Sequence, residues 1–144
     1  MPEVLVADDN PSDVYLIREA LREHGVDCTL RVAADGKDAL GIISSEDPDF
    51  GAGCMSLIIL DLNLPRHDGI EILQKLRESA RLEHIPVVVL TSSDSPRDRQ
   101  TADLLGPLRY LRKPSSLDEF LGLGAIFKEL LGQTEEKIPQ GRSL

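Results

Sequence analysis

Apolar residues in this chain fall into short unbroken runs. Between them lie stretches in which apolar residues recur every three or four positions. Val4-Leu5-Val6-Ala7, Leu57-Ile58-Ile59-Leu60 and Ile85-Pro86-Val87-Val88-Val89-Leu90 are the unbroken runs. Runs of this length, bounded by turn residues, read as strands buried on both faces. Cys28 to Ala33 and Leu108 to Arg112 read as two further strands. Val14, Ile17, Ala20 and Leu21 mark a helix, as do Ala39, Leu40 and Ile43, and then Ile70, Leu73 and Leu76 with Arg77. Pro96 to Leu105 carries only a thin stripe of Ala102, Leu104 and Leu105, so that helix should be loosely held. Leu117, Phe120, Leu121, Phe127 and Leu131 mark the last helix.

Punctuation supports these boundaries. Asn10-Pro11 supplies an N-cap and a proline at the first helical position. Gly25 is placed to stop the first helix. Asp35-Gly36 and His67-Asp68-Gly69 are turns, and Gly106-Pro107 is a break. Ser116 with Glu119 forms a capping box. Gly122 and Gly124 each cost the last helix roughly 1 kcal/mol relative to Ala. Glu46 to Met55, with Asp47-Pro48-Asp49 and Gly51-Ala52-Gly53, reads as a loop that is long for such a connection.

Five strands alternating with five helices predict an α/β fold, a doubly wound parallel sheet covered by helices on both faces. The domain should span residues 1–131, with 132–144 a polar, frayed tail. At 144 residues the chain suits one domain with a real core. Aromatic residues are 3%, so that core must be aliphatic. The net charge of -9 argues against non-specific nucleic-acid binding. No apolar run approaches the roughly 20 residues of a membrane span, and the N-terminus enters a strand without a signal-peptide pattern. Cys28 and Cys54 form no metal pattern, and His24, His67 and His84 are scattered. A reduced, cytoplasmic chain is the expectation.

Three strands end on chemically capable groups: Asp8-Asp9, Asp61 and Thr91. A fourth ends on Lys113-Pro114. In a parallel sheet these all emerge at one edge, where open α/β sheets bind ligands. Clustered carboxylates repel one another and favour a hard cation, and an all-oxygen site suits Mg²⁺. The backbone carbonyl of Asn63 is placed to add a ligand. Lys113 adds a compact positive charge on the opposite side, and Thr91 a hydroxyl. These are the parts of phosphoryl transfer. A carboxylate can act as the nucleophile and form an aspartyl-phosphate. Asp61 is the candidate, because it stands alone in mid-sheet.

Asp8-Asp9, the Leu60-Asp61-Leu62-Asn63-Leu64-Pro65 segment, Thr91 and Lys113-Pro114 resemble the receiver domain of two-component response regulators. The resemblance covers about residues 3–131. It implies a flavodoxin-like strand order 2-1-3-4-5 and phosphorylation of Asp61 by a histidine kinase. It also implies that Asp9 and Asp61, with the carbonyl of Asn63, bind Mg²⁺ directly and that Asp8 acts through water. Thr91 and Lys113 would bind the phosphoryl group, and Thr91 with Tyr110 would form a switch. The wording around Asp9 and Asp61 is similar to stand-alone receivers paired with bacterial, including cyanobacterial, phytochromes. No output domain follows, so the signal would pass to a protein partner or along a phosphorelay.

The implied protein is not an enzyme beyond slow Mg²⁺-dependent autodephosphorylation. Its output or dimer face would comprise helix 96–105, strand 108–112 and helix 116–131. Arg97, Arg109 and Arg112 with Asp98, Asp103 and Asp118 would offer paired charges across it. Gly106-Pro107-Leu108 and Ser115 depart from the family's usual wording. The alternatives are a flavodoxin-like module binding a small molecule or phosphate compound, a phosphohydrolase using Asp61, and a receiver that works without phosphorylation. The first is disfavoured by Asp8-Asp9-Asn10 at the first turn, where a phosphate cradle would stand.

Overall fold

The computed structural model describes residues 1–45, 55–66, 68–107 and 109–137. Among the described residues, ten elements alternate. They are β1 (Glu3–Ala7), α1 (Pro11–Glu23), β2 (Thr29–Ala33), α2 (Gly36–Ser44), β3 (Leu57–Leu60), α3 (Gly69–Glu78), β4 (Val87–Thr91), α4 (Pro96–Leu104), β5 (Arg109–Arg112) and α5 (Leu117–Lys137). The five strands form one parallel sheet in the order β2-β1-β3-β4-β5. This is the expected flavodoxin-like arrangement.

The unbroken apolar runs follow from burial on both sheet faces. Leu5, Ala7, Ile58, Leu60, Val87 and Val89 face one core layer, together with Ile72, Leu73 and Leu76 of α3 and Ala102 of α4. Val4, Val6, Leu57, Ile59, Val88 and Leu90 face the other, against Ile17 and Leu21 of α1 and Phe120 and Phe127 of α5. Successive strand residues alternate between the layers, as the period of two requires.

Local chemistry sets the helix starts. The Asn10 side chain accepts from the backbone N–H groups of Ser12 and Asp13. Asp35, Asp68 and Ser95 accept from Asp38, Glu71 and Asp98 in the same way. Ser116 Oγ accepts from the Glu119 N–H at 3.2 Å. Gly25 adopts φ +72°, the left-handed conformation expected of a residue just past a helix end.

Several boundaries differ from the expectation. β4 begins at Val87, because the Ile85 N–H closes a turn onto Leu82 and Pro86 offers only its carbonyl, to Ile58. β2 begins at Thr29, leaving Cys28 half-buried before it. α5 runs to Lys137, so its helix continues past residue 131. Gln, Glu and Lys are good helix formers, and extending a formed helix costs little. Leu104 is 87% and Leu117 58% exposed, so neither belongs to an inward stripe. Residues 46–54 of the long loop, Cys54, His67, Leu108 and residues 138–144 lie outside the described residues.

α5 packs directly on α1, and Gly124 is the reason it can. A Cβ at Gly124 would lie 2.2 Å from the Ala20 carbonyl oxygen and 2.5 Å from His24 Cδ2. Gly122 has open space at the same point. Gly124→Ala should therefore destabilise by about 1–3 kcal/mol, as overpacking does. Gly122→Ala should stabilise by up to about 1 kcal/mol through helix propensity. Urea unfolding of the two variants checks the opposite signs.

Candidate functional site

The parallel register assembles the site. Ala7 stands opposite Leu60, Leu60 opposite Val89, and Thr91 opposite Arg112. The next residues of β1, β3 and β5 are Asp8, Asp61 and Lys113, and each extends the ladder by one hydrogen bond. Asp8 N donates to Ala33 O at 3.0 Å, Asp61 N to Ala7 O at 2.9 Å, and Lys113 N to Thr91 O at 2.8 Å. These groups leave the sheet at one edge with fixed backbones.

Their side chains meet. Lys113 Nζ lies 2.8 Å from Asp61 Oδ2, 2.9 Å from Asp8 Oδ2 and 2.8 Å from Asp13 Oδ2. Thr91 Oγ1, fully buried, donates to Asp61 Oδ1 at 2.9 Å. The Asn63 N–H donates to the same oxygen at 3.0 Å, and the Asn10 N–H to Asp8 Oδ1 at 2.9 Å. Asp8 and Asp61 are buried, at 3% and 4% exposure, whereas Asp9 is exposed. Carboxylate oxygens of Asp8, Asp9 and Asp61 lie within 4.8 Å of one another.

Charge is unbalanced here. Burial pushes the Asp8 carboxyl above its ordinary value, and the Asn10 N–H and Lys113 pull it back. Burial alone would lower the Lys113 pKa. Hydrogen bonds to Asp13, Asp61 and Asp8 outweigh that, and the net shift is upward. Among the described residues, three carboxylates thus contact one ammonium, and a fourth, Asp9, stands beside two of them. An oxygen-only donor set with excess negative charge fits a hard divalent cation held by Asp8, Asp9 and Asp61.

Glycine brings α3 to the site. A Cβ at Gly69 would stand 2.3 Å from the Asp61 carbonyl oxygen and 2.5 Å from Leu62 Cα. Gly69 N donates to Leu62 O at 2.9 Å, so α3 begins in contact with the backbone that carries Asp61.

A hydrogen-bond chain leads from Asp61 to α4. Beyond the Thr91 hydroxyl, Ser93 N donates to Thr91 Oγ1 at 3.2 Å, and Ser93 Oγ donates to Asp98 Oδ2 at 2.8 Å. Asp98 is in the first turn of α4, whose only buried residue is Ala102. Tyr110 pairs with Val89 and packs on the α3/α4 side of the sheet. Two residues beyond Val89, Thr91 belongs to that same face. The Tyr110 hydroxyl is buried without a hydrogen-bond partner among the described residues, and Arg99 of α4 lies over the ring at 4.5 Å. Burial raises the Tyr110 pKa, with Asp98 adding to the rise.

The edge thus brings together the expected Asp8, Asp9, Asp61, Thr91 and Lys113. Asn63 reaches it through its backbone N–H. Two expectations change. Lys113 is not across the site from the acids but in contact with three of them. The charges expected to pair across an interface are partly used within the chain: Arg112 with Asp94, Asp103 with Arg99, and Asp98 with Ser93. Sequence reading missed Asp13, Gly69 and Ser93. Asp13 had one legible signal, its place one turn into a helix that starts beside Asp8-Asp9.

Five parallel strands in this order, with an acidic edge closed by a lysine, define the class: a flavodoxin-like protein built to handle charge at the carboxyl ends of its strands. The response regulator receiver domain family matches residues 4–123. The chain belongs to that family. Response regulator Rcp1 of Synechocystis is 33% identical over 116 residues, covering 81% of this chain and 79% of its own length. The transcriptional regulatory protein TrcR of Mycobacterium tuberculosis is 37% identical over 118 residues. The match covers 82% of this chain but only 42% of that regulator. Among solved structures, the phosphorylated cyanobacterial phytochrome response regulator RcpA superposes with a TM-score of 0.81 at 30% identity. The superposition covers 92% of this chain and 95% of that one. The Mn²⁺-bound form of Rcp1 gives 0.76 at 30% identity, covering 92% and 91%. No helix among the described residues is long and apolar enough to cross a membrane.

Proposed function

We propose that this chain is a phosphorylation-driven signalling protein in which Asp61 accepts a phosphoryl group from a phosphohistidine of a sensor histidine kinase. A carboxylate oxygen of Asp61 forms the new P–O bond as the P–N bond of the donor breaks, and the imidazole leaves with the bonding pair. The observation that carries this reading is the crowding of Asp61. Its two oxygens face an ammonium at 2.8 Å and a threonine hydroxyl at 2.9 Å, with two further carboxylates alongside. Mg²⁺ bound by Asp8, Asp9, Asp61 and the Asn63 carbonyl would neutralise charge on the transferring group. Lys113 pairs with a phosphoryl oxygen. Thr91 turns from Asp61 towards another.

The output follows from charge and packing. A phosphoryl group adds roughly -1.5 to -2 charge and three acceptor oxygens. Movement of Thr91 disturbs its bond from Ser93 and hence the hold of Ser93 on Asp98. Loosely packed α4 then shifts, and Tyr110, whose buried hydroxyl has no hydrogen-bond partner among the described residues, turns further inward towards the space Thr91 leaves. The face of α4, β5 and α5, with Leu104 and Leu117 exposed, meets the partner: a downstream protein, a phosphotransfer domain or a second copy. The likeness to RcpA and Rcp1 supports a phytochrome-type kinase upstream. The receiver unit is assigned to residues 1–131 and its place of action to the cytoplasm.

Intact mass after treatment with acetyl phosphate tests the reading. One phosphate should be gained with Mg²⁺ and none with EDTA. A gain that persists in EDTA would overturn the metal assignment, and no gain would overturn the function. Mg²⁺ should also raise the thermal midpoint by mass action, since it binds the folded cluster. Asp9→Asn should remove that rise while leaving the metal-free midpoint unchanged or higher. A Mg²⁺-dependent rise that survives in Asp9→Asn would exclude Asp9 as a ligand.

A further inference from the structure

Lys113 has three ammonium protons and, among the described residues, three carboxylate partners: Asp8, Asp61 and Asp13. Asp8 and Asp61 belong to the cluster whose oxygens converge for a cation, and Asp13 does not. Asp13 comes from a different element. The Asn10 cap fixes the first turn of α1, and Asp13, three residues on, reaches across to Lys113 Nζ at 2.8 Å with its side chain 19% exposed. When Asp8 and Asp61 turn towards a cation and a phosphoryl group, Asp13 is the partner left to the ammonium. A flexible four-carbon stem needs such an anchor to keep its charge aimed.

We propose that Asp13 is a positioning residue for phosphoryl transfer, holding the Lys113 ammonium from the α1 side so that its other protons face the phosphoryl oxygens at Asp61. The proposal rests on Asp61 as phosphoacceptor. An acidic residue in a first turn also favours the helix dipole, so the test must separate anchoring from helix support.

The full-length chain is phosphorylated with varied acetyl phosphate at saturating Mg²⁺ and followed by intact mass. Asp13→Asn should lower the limiting rate by about ten- to a hundredfold, since misplacing a catalytic group by about 1 Å can cost about a hundredfold, with little change in the donor concentration for half-saturation. In a Lys113→Ala background the same substitution should change the rate by less than about twofold, because the two act as one unit. Equal slowing in both backgrounds, or unchanged or faster uptake with Lys113 present, would overturn the proposal.

A second readout needs neither metal nor donor. The ¹⁵N-labelled Lys113 ammonium should give a resolved NMR signal in the metal-free protein, held against exchange by its three acceptors. That signal should broaden in Asp13→Asn, and an unchanged signal would overturn the anchor. Asp13→Ser, which suits a helix start, replaces Asp13→Asn if thermal melting shows that the latter is unfolded. If the parent chain takes up no phosphate, the phosphoacceptor reading fails and this role fails with it. The NMR comparison then still reports whether the Asp13–Lys113 contact exists.

Discussion

Asp61→Asn is expected to abolish phosphate uptake while leaving the fold intact. The amide has nearly the volume of the carboxylate. Its oxygen can still accept from Thr91 Oγ1 and the Asn63 N–H, which both meet Oδ1. The NH₂ group then faces Lys113 Nζ, where Oδ2 stood at 2.8 Å, and two donors oppose each other. That contact relaxes, because Lys113 keeps Asp8 and Asp13. The lost negative charge also relieves repulsion within the acidic cluster. The nucleophile, by contrast, is gone: a neutral amide does not attack phosphorus as a carboxylate does. Intact mass with acetyl phosphate and Mg²⁺ should show no gain, and far-UV circular dichroism should match the parent. A stable acyl-phosphate on this variant would remove Asp61 from the centre of the mechanism.

Lys113→Met is expected to damage both stability and signalling. It leaves Asp8 and Asp61, 3% and 4% exposed, without their cation. Removing one partner of a buried ion pair typically costs about 3–5 kcal/mol. The cost here should fall at the low end, about 3 kcal/mol, because Asp9 and the open edge admit water. Its pH dependence has a definite sign. Burial already raises the Asp8 pKa, and loss of the ammonium raises it further. A folded state with a raised carboxyl pKa binds more protons than the unfolded state, so stability falls as pH rises through that range. The deficit of Lys113→Met should be largest at neutral pH and shrink as pH falls towards the ordinary aspartate value. Mg²⁺ should restore part of it. Urea unfolding across pH with and without Mg²⁺ measures all three effects, and a deficit independent of both would mean that the lysine does not neutralise this cluster. The variant should still take up some phosphate yet fail to change its affinity for a partner, since the phosphoryl group loses the cation that positions it.

β1, β3 and β4 were legible because burial on both faces demands unbroken aliphatic runs, and little else in a soluble chain has that demand. Helix starts were legible because Asn10, Asp35, Asp68, Ser95 and Ser116 do local work: each side chain accepts from its own first turn. Gly124 was misjudged as a propensity defect. Its role depends on the Ala20 carbonyl, more than a hundred residues earlier in the chain, and sequence periodicity says nothing about which backbones approach. Leu104 and Leu117 were misjudged for a similar reason. A helical stripe shows which residues share a face, not whether that face meets the sheet.

Read alone, the chain determined the αβ alternation, and with it a parallel sheet whose acidic and basic strand ends must share an edge. That outcome needs only the pairing direction and the residue following each run. Tertiary structure alone decided that Asp13 joins Lys113, that Gly69 seats α3 against the backbone of Asp61, and that Ser93 and Asp98 tie the site to α4. Those contacts join separate elements across ångström distances, and helix placement on the sheet is set by the packing of the whole core.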